Sequence, residues 1–287
     1  MDYTKLFCEI DDFVKEYNTQ KTLISNKRNY PRKMHDSEII TILVWFHISG
    51  YRNLKTFYLN FICKFHTTAF NLVSYTRFVE LQREVFDIMC VYLCSKLGKC
   101  TGISFIDSTK LSVCNNKRIT RNKVFKNIAK IGKTTMGWFY GFKLHLITND
   151  KGELLSIKIT TGNTDDRKVV LDLSKNIFGK LFGDKGYISS KLAASLVEKG
   201  ITLFTGVKNN MKNKLLSITD KILLRKRSII ETINDQLKNI YQVEHTRHRS
   251  PDNFVMNLLS ALTAYCLQPK KPSIKNNVNE HMLENLA

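Results

Sequence analysis

At Gly102 the hydrophobic periodicity of the chain changes, and this switch constrains its fold more than any other feature. Before it, apolar residues recur at helical spacing. Asp36 and Ser37 offer N-caps to a helix whose apolar face is Ile39, Ile40, Leu43, Val44 and His47, and which stops at Gly50. A second helix is expected over 53–64. A third, over 76–97, repeats Phe78, Leu81, Val85, Ile88, Met89, Tyr92 and Leu93. Short helices with basic connections suit a DNA-binding module and a plain helical bundle equally well.

After Gly102 strands and helices alternate. Residues 103–106 read as a short buried strand ending on Asp107. Residues 138–148 and 154–160 are two strands joined by the turn Asn149-Asp150-Lys151-Gly152, hence a hairpin. Helices are expected over 165–178 and 189–199, with strands at 180–183, ending on Asp184, and 201–205. Helices over 225–241 and 252–266 close the region, the last behind Pro251. This order predicts an α/β mixed sheet with helices on both faces. Right-handed crossovers put the fourth strand beside the first, so Asp107 and Asp184 would share the carboxyl edge where such sheets bind ligands.

Charge narrows the partner. The 287 residues carry a net +20, of which +16 falls after residue 100. Such an excess predicts attraction to a polyanion and strong salt dependence of binding. Residues 108–149 contain no acidic side chain but include Lys117, Arg118, Arg121, Lys123, Lys126, Lys130 and Lys133. His245, Arg247, His248 and Arg249 form a second basic group. Seven cysteines at irregular spacing do not frame a zinc site and read as reduced thiols. With no basic-then-apolar leader and no apolar run near the roughly 20 residues a span requires, the expectation is a soluble, cytoplasmic protein.

Two aspartates at neighbouring strand ends repel one another unless a cation lies between them. Oxygen-only ligation suits Mg²⁺ or Mn²⁺ rather than zinc. Glu231, early in the helix over 225–241, is the candidate third carboxylate, on a polar ridge with Arg227, Asn234 and Lys238. Asp165 and Asp166 read as helix caps, and Asp150 and Glu153 as turn residues. Three carboxylates and two divalent ions imply in-line phosphoryl chemistry, shared by nucleases, resolvases and strand-transfer enzymes.

The segments FIDST (105–109) and GDKGYIS (183–189) resemble the first two aspartate motifs of bacterial insertion-sequence DDE transposases. LLRKRSIIETINDQLKN (223–239) is similar to the R-E-K part of their Y-R-E-K signature, through Arg227, Glu231 and Lys238, with Leu224 where the tyrosine is expected. YGFKLHL (140–146), TTGNTDDRK (160–168) and HTRHRSPDN (245–253) also resemble that family, and the set is most similar to the insertion-sequence family numbered 982.

The resemblance spans about 102–272. It implies a ribonuclease H-like catalytic domain over 101–269, after a helical, DNA-end-binding region over 1–100 and before a polar tail over 270–287. It implies Asp107, Asp184 and Glu231 as catalytic and metal-binding residues with two Mg²⁺ or Mn²⁺ ions. Arg227 and Lys238 would hold DNA, as would the basic residues Lys117, Arg118, Arg121, Lys123, Lys126, Arg247 and Arg249. The implied partners are double-stranded DNA, as terminal inverted repeats and target, and a second copy of the chain, in the bacterial nucleoid. A DNA-binding relative without catalysis and a metal nuclease without strand transfer are the alternative readings.

Overall fold

A computed structural model describes residues 2–22, 32–135, 137–207, 211, 215–244 and 248–274. By packing, the chain divides into two compact units, 1–96 with 236–268, and 97–235 with 269–287. Segment 236–268, expected from the sequence to belong with the sheet, therefore packs with the N-terminal helices.

The helical unit contains α1 (Tyr3–Thr22), α2 (Asp36–Ile48), α3 (Leu54–Phe57), α4 (Cys63–Phe65), α5 (Tyr75–Leu81) and α6 (Phe86–Ser95). A π-helical turn, Tyr58–Ile62, joins α3 to α4. The helix expected over 76–97 is two, broken at 82–85, and α2 begins one residue earlier than expected. Its N-cap is His35, whose N–H donates to Glu38 Oε2 at 2.6 Å, so Asp36 and Ser37 lie inside the first turn. Ile39, Ile40, Ile42 and Val44 are all buried: α2 is a central helix, enclosed on every side rather than on one stripe.

The second unit is built on a six-stranded sheet: β1 (Ile103–Cys114), β2 (Lys130–Thr134), β3 (Gly137–Asn149), β4 (Leu154–Thr161), β5 (Gly179–Gly183) and β6 (Ile201–Thr205). The order is β2-β3-β1-β5-β6, with β4 also on β3. β1 runs antiparallel to β3 and parallel to β5, and β5 runs parallel to β6. The mixed sheet and its crossover thus match the sequence expectation. Its helices are α7 (Val170–Leu173), α8 (Ser190–Val197), α9 (Ile218–Arg225) and α10 (Ser228–Asn239). The division between the units falls within α10; α11 (Pro251–Cys266) belongs to the helical unit.

Alternation assigns the two faces of the sheet. Ile106, Ile147, Leu181 and Ile201 pack with Val170, Leu173, Leu192 and Leu196 of α7 and α8 in one core cluster. Phe105, Phe182 and Phe204 point the other way and stack in a row, with centroids 5.6 and 5.0 Å apart. On that side Lys180 Nζ reaches Asp220 Oδ1 of α9 at 2.6 Å.

Several expectations change in detail. β1 does not end at Asp107 but continues to Cys114, paired with β3 as far as Tyr140. The helix expected over 165–178 shrinks to a 3₁₀ turn, Asp166–Val169, and the single turn of α7. The helix expected over 225–241 is α10, somewhat shorter, and α9 before it was not expected. The basic segment after β1 also has structure of its own: a 3₁₀ helix (Asn116–Arg121), then β2. Glycine is required where β2, β3 and β4 converge: a Cβ on Gly132 would lie 2.1 Å from the Gly162 carbonyl oxygen, and one on Gly141 2.0 Å from that of Leu111.

Candidate active site

The β1–β5 register decides where the two aspartates stand. Parallel pairing ends at Phe105 with Phe182. Asp107 and Asp184 are each two residues beyond that pair, so they stand side by side where the strands separate. The reason for this place differs from the expected one. β1 does not stop at Asp107; it is β5 that stops, leaving that edge of β1 open. At Asp184 the chain turns into the 3₁₀ helix Lys185–Tyr187, with the Asp184 carboxylate capping it by accepting the Gly186 N–H at 2.8 Å.

Both aspartates line one cavity of about 560 Å³, together with Ser108, Asp166 and Tyr187 and the cationic Lys110, Lys133 and Lys143. Among the described residues no His or Cys is in this lining. Asp107 Oδ2 accepts a hydrogen bond from Asn234 Nδ2 of α10 at 2.9 Å. The Asp107 carboxyl is pushed up to about 6, chiefly by burial, with the Ser108 backbone N–H and the Arg227 guanidinium opposing and Asp184 and Glu231 adding to the rise. Tyr187 is buried, and burial with the charges of Asp107, Asp166 and Asp184 pushes its hydroxyl above the ordinary tyrosine range.

Glu231 lies in the first turn of α10, within electrostatic reach of Asp107 but not in the cavity lining. Its Oε1 accepts from Arg227 Nη2 at 2.6 Å. Each carboxylate is thus held by a local donor: Asn234 on Asp107, Gly186 on Asp184, Arg227 on Glu231. Among the described residues no three His, Cys, Asp or Glu side chains are gathered closely enough to hold a metal ion together. The donor chemistry nevertheless fits a hard divalent cation. Asp107 and Asp184 both line one space with carboxylates, the hard oxygen donors such an ion takes.

The sequence reads Asp166 as a helix cap, and the structure separates it from its neighbour. Asp165 is the cap, accepting the Arg167 N–H at 3.0 Å, with the Arg167 side chain holding its carboxyl down at about 2. Asp166 instead accepts from Lys143 Nζ at 2.8 Å and faces the cavity. Lys143 also donates to the Thr164 carbonyl. Two residues on, His145 is fully buried, its Nε2 2.8 Å from Thr160 Oγ1, and burial holds it at about 4. Sequence reading missed Asp166 and Lys143 as site residues; the only signal was the alternation that puts Lys143 and His145 on one face of β3.

The remaining basic candidates are spread more widely. Lys117, Arg118 and Arg121 lie on the 3₁₀ helix after β1, and Lys123 and Lys126 follow it. All five are exposed, and none is ion-paired with a described residue. Trp138, 61% exposed, lies on the β2–β3 hairpin with Lys133 Nζ 5.4 Å from its ring. Lys238, in the last turn of α10, pairs with Glu244 at 3.4 Å. Arg249 is exposed beside α11. Arg247 and His245 lie outside the described residues.

Residues 97–251, more than half of the chain, match the family described as Transposase DDE domain. The chain belongs to that family of DDE transposases. A search of curated proteins finds no match. Among solved structures, the chain is similar to a piggyBac transposase in a synaptic complex with hairpin DNA, at 11% identity and a TM-score of 0.48. That similarity covers 90% of this chain and 71% of the other. No helix among the described residues is long and apolar enough to cross a membrane.

Proposed function

We propose that this DDE transposase has a ribonuclease H-like catalytic core which cleaves the terminal inverted repeats of a bacterial insertion sequence, of the kind numbered 982, and joins the freed 3′-OH ends to target DNA. The observation that carries the proposal is the cavity beside β1 and β5, where Asp107 and Asp184 face one space rimmed by Lys110, Lys133 and Lys143. Cations draw the DNA phosphates in, and the two aspartates stand where a phosphodiester would arrive. Asp107, Asp184 and Glu231 would hold two Mg²⁺ or Mn²⁺ ions. When bound, such ions supply activation of the attacking oxygen and stabilisation of the leaving one.

The chain's own residues position the substrate. Arg227 and Lys238 bind phosphates along α10. Lys117, Arg118, Arg121, Lys123 and Lys126, unpaired among the described residues, extend the contact along a duplex, and Arg247 and Arg249 add a second one. Asn234 orients the Asp107 carboxylate. Arg227 holds Glu231 by Oε1, so Oε2 is the oxygen it would offer a metal, and an arriving phosphate would be a further partner for that guanidinium. Two copies of the chain would bring two DNA ends together.

The test uses the purified full chain, Mg²⁺, and DNA carrying the inverted repeats that flank the gene. Joined products are expected. Glu231→Gln should abolish both cleavage and joining while DNA binding persists, and joining by that variant would overturn the assignment. Nicks without joining would point to a nuclease.

A further inference from the structure

The helical unit contains a second cavity, larger than the one beside β1, of about 700 Å³. That is within the range of sites that enclose small molecules. Its chemistry differs from that of an ordinary packing fault. Arg52, Lys55 and Arg249 stand at its rim, and among the described residues no Asp or Glu lines it. Tyr75 supplies an aromatic wall, with Lys55 Nζ 6.0 Å from its ring, and Phe46 and Leu43 add apolar surface.

Four lining side chains have a buried polar atom with no hydrogen-bond partner among the described residues: Gln82 Nε2, His248 Nε2, Asn253 Oδ1 and Asn257 Nδ2. Gln82 is 3% exposed and Asn257 8%. A buried amide left unpaired costs stability, and one such atom alone calls for explanation. Four around one space point to a ligand with a planar edge of donors and acceptors. A bare phosphate has no planar edge to meet three amides and no flat face for Tyr75. A nucleobase offers both kinds of group, a flat face for Tyr75, and an attached phosphate for the cationic rim.

We propose that this cavity takes a single unpaired nucleotide, its base edge read by Gln82, Asn253 and Asn257 and its phosphate held by Arg52, Lys55 and Arg249. The source of that nucleotide is bound DNA, which rests on the transposase reading above. A base held there stands outside the double helix, so a DNA end carrying an unpaired nucleotide is preferred over a fully paired one.

The experiment measures binding of the full chain to three probes: a duplex with one unpaired fluorescent adenine analogue at its end, the same duplex blunt-ended, and free deoxyadenosine monophosphate. The overhang duplex should bind about tenfold more tightly than the blunt one, and the fluorescence of its unpaired base should change on binding. Gln82→Ala and Asn257→Ala should each erase the preference. Both should keep the blunt-duplex affinity, which also reports that the variants are folded. Equal affinity for the two duplexes in the unaltered chain, or a preference that survives both substitutions, would overturn the proposal and leave the DNA reading intact. Binding of the free monophosphate with no affinity for either duplex would support the cavity as a nucleotide site while overturning DNA as its source.

Discussion

Each unit of the protein contains a cation-rimmed cavity, and the two differ in what lies inside the rim. Beside β1 the interior groups are carboxylates, Asp107, Asp166 and Asp184, among lysines. In the helical unit they are the uncharged Gln82, Asn253, Asn257 and His248, among arginines and a lysine. On the proposed reading the rims answer one requirement, the negative charge of a nucleic-acid backbone, and the interiors separate two tasks. Carboxylates that repel one another call for a metal ion and chemistry. Amides hold no net charge and recognise shape and hydrogen-bonding pattern.

If that division is right, the largest effect falls on chemistry alone. Asp184→Asn keeps the helix-capping acceptor but removes a charge, and should lower cleavage by roughly 10²–10³-fold while the overhang preference is unchanged. Gel assays of both activities on one preparation make the check, and loss of both together would break the comparison.

A second effect lies in stability and depends on pH. Asp107 has a folded-state pKa raised to about 6. The folded chain therefore binds this proton more tightly than the unfolded one, and stability is lost as pH rises from the ordinary carboxylate range through 6. In chelator at pH 7, Asp107→Asn should be more stable than the unaltered chain by about 1–3 kcal/mol, and the gain should vanish below about pH 4. Amides do not titrate, so Gln82→Ala should show a stability difference independent of pH. Thermal melts across pH 4–8 compare the two directly.

The smallest effect concerns the exposed cations beyond the cavities. Lys117→Ala with Arg121→Ala should make the salt dependence of blunt-duplex binding shallower, by about 0.9 in log–log slope for each phosphate no longer neutralised. A slope unchanged from that of the unaltered chain would remove the 3₁₀ helix from the duplex interface.

What could be read from the sequence followed the range of the interactions involved. The β3–β4 hairpin was legible because alternation and the Asn149–Gly152 turn are local signals. The β1–β5 neighbourhood followed from crossover handedness. The length of β1 was not legible, since Ser108, Thr109 and Lys110 interrupt its apolar run and only pairing with β3 carries the strand on to Cys114. β2 was hidden in the basic run for the same reason. Asp166 could not be told from Asp165, because the difference lies in Lys143, more than twenty positions earlier and on another strand. The three amides and the imidazole of the helical unit come from α11, the segment before it and the break after α5. Their convergence depends on 236–268 packing with the first hundred residues, which no local pattern announces.

The close approach at Gly132 and Gly141 has a genetic consequence. Every amino-acid replacement that a single base change can make in a glycine codon adds a Cβ, and at both positions that atom would meet a backbone oxygen rather than a side chain able to swing aside. Missense changes at these codons are therefore expected to act as folding lesions, silencing a gene copy with every residue of the cavity beside β1 still encoded.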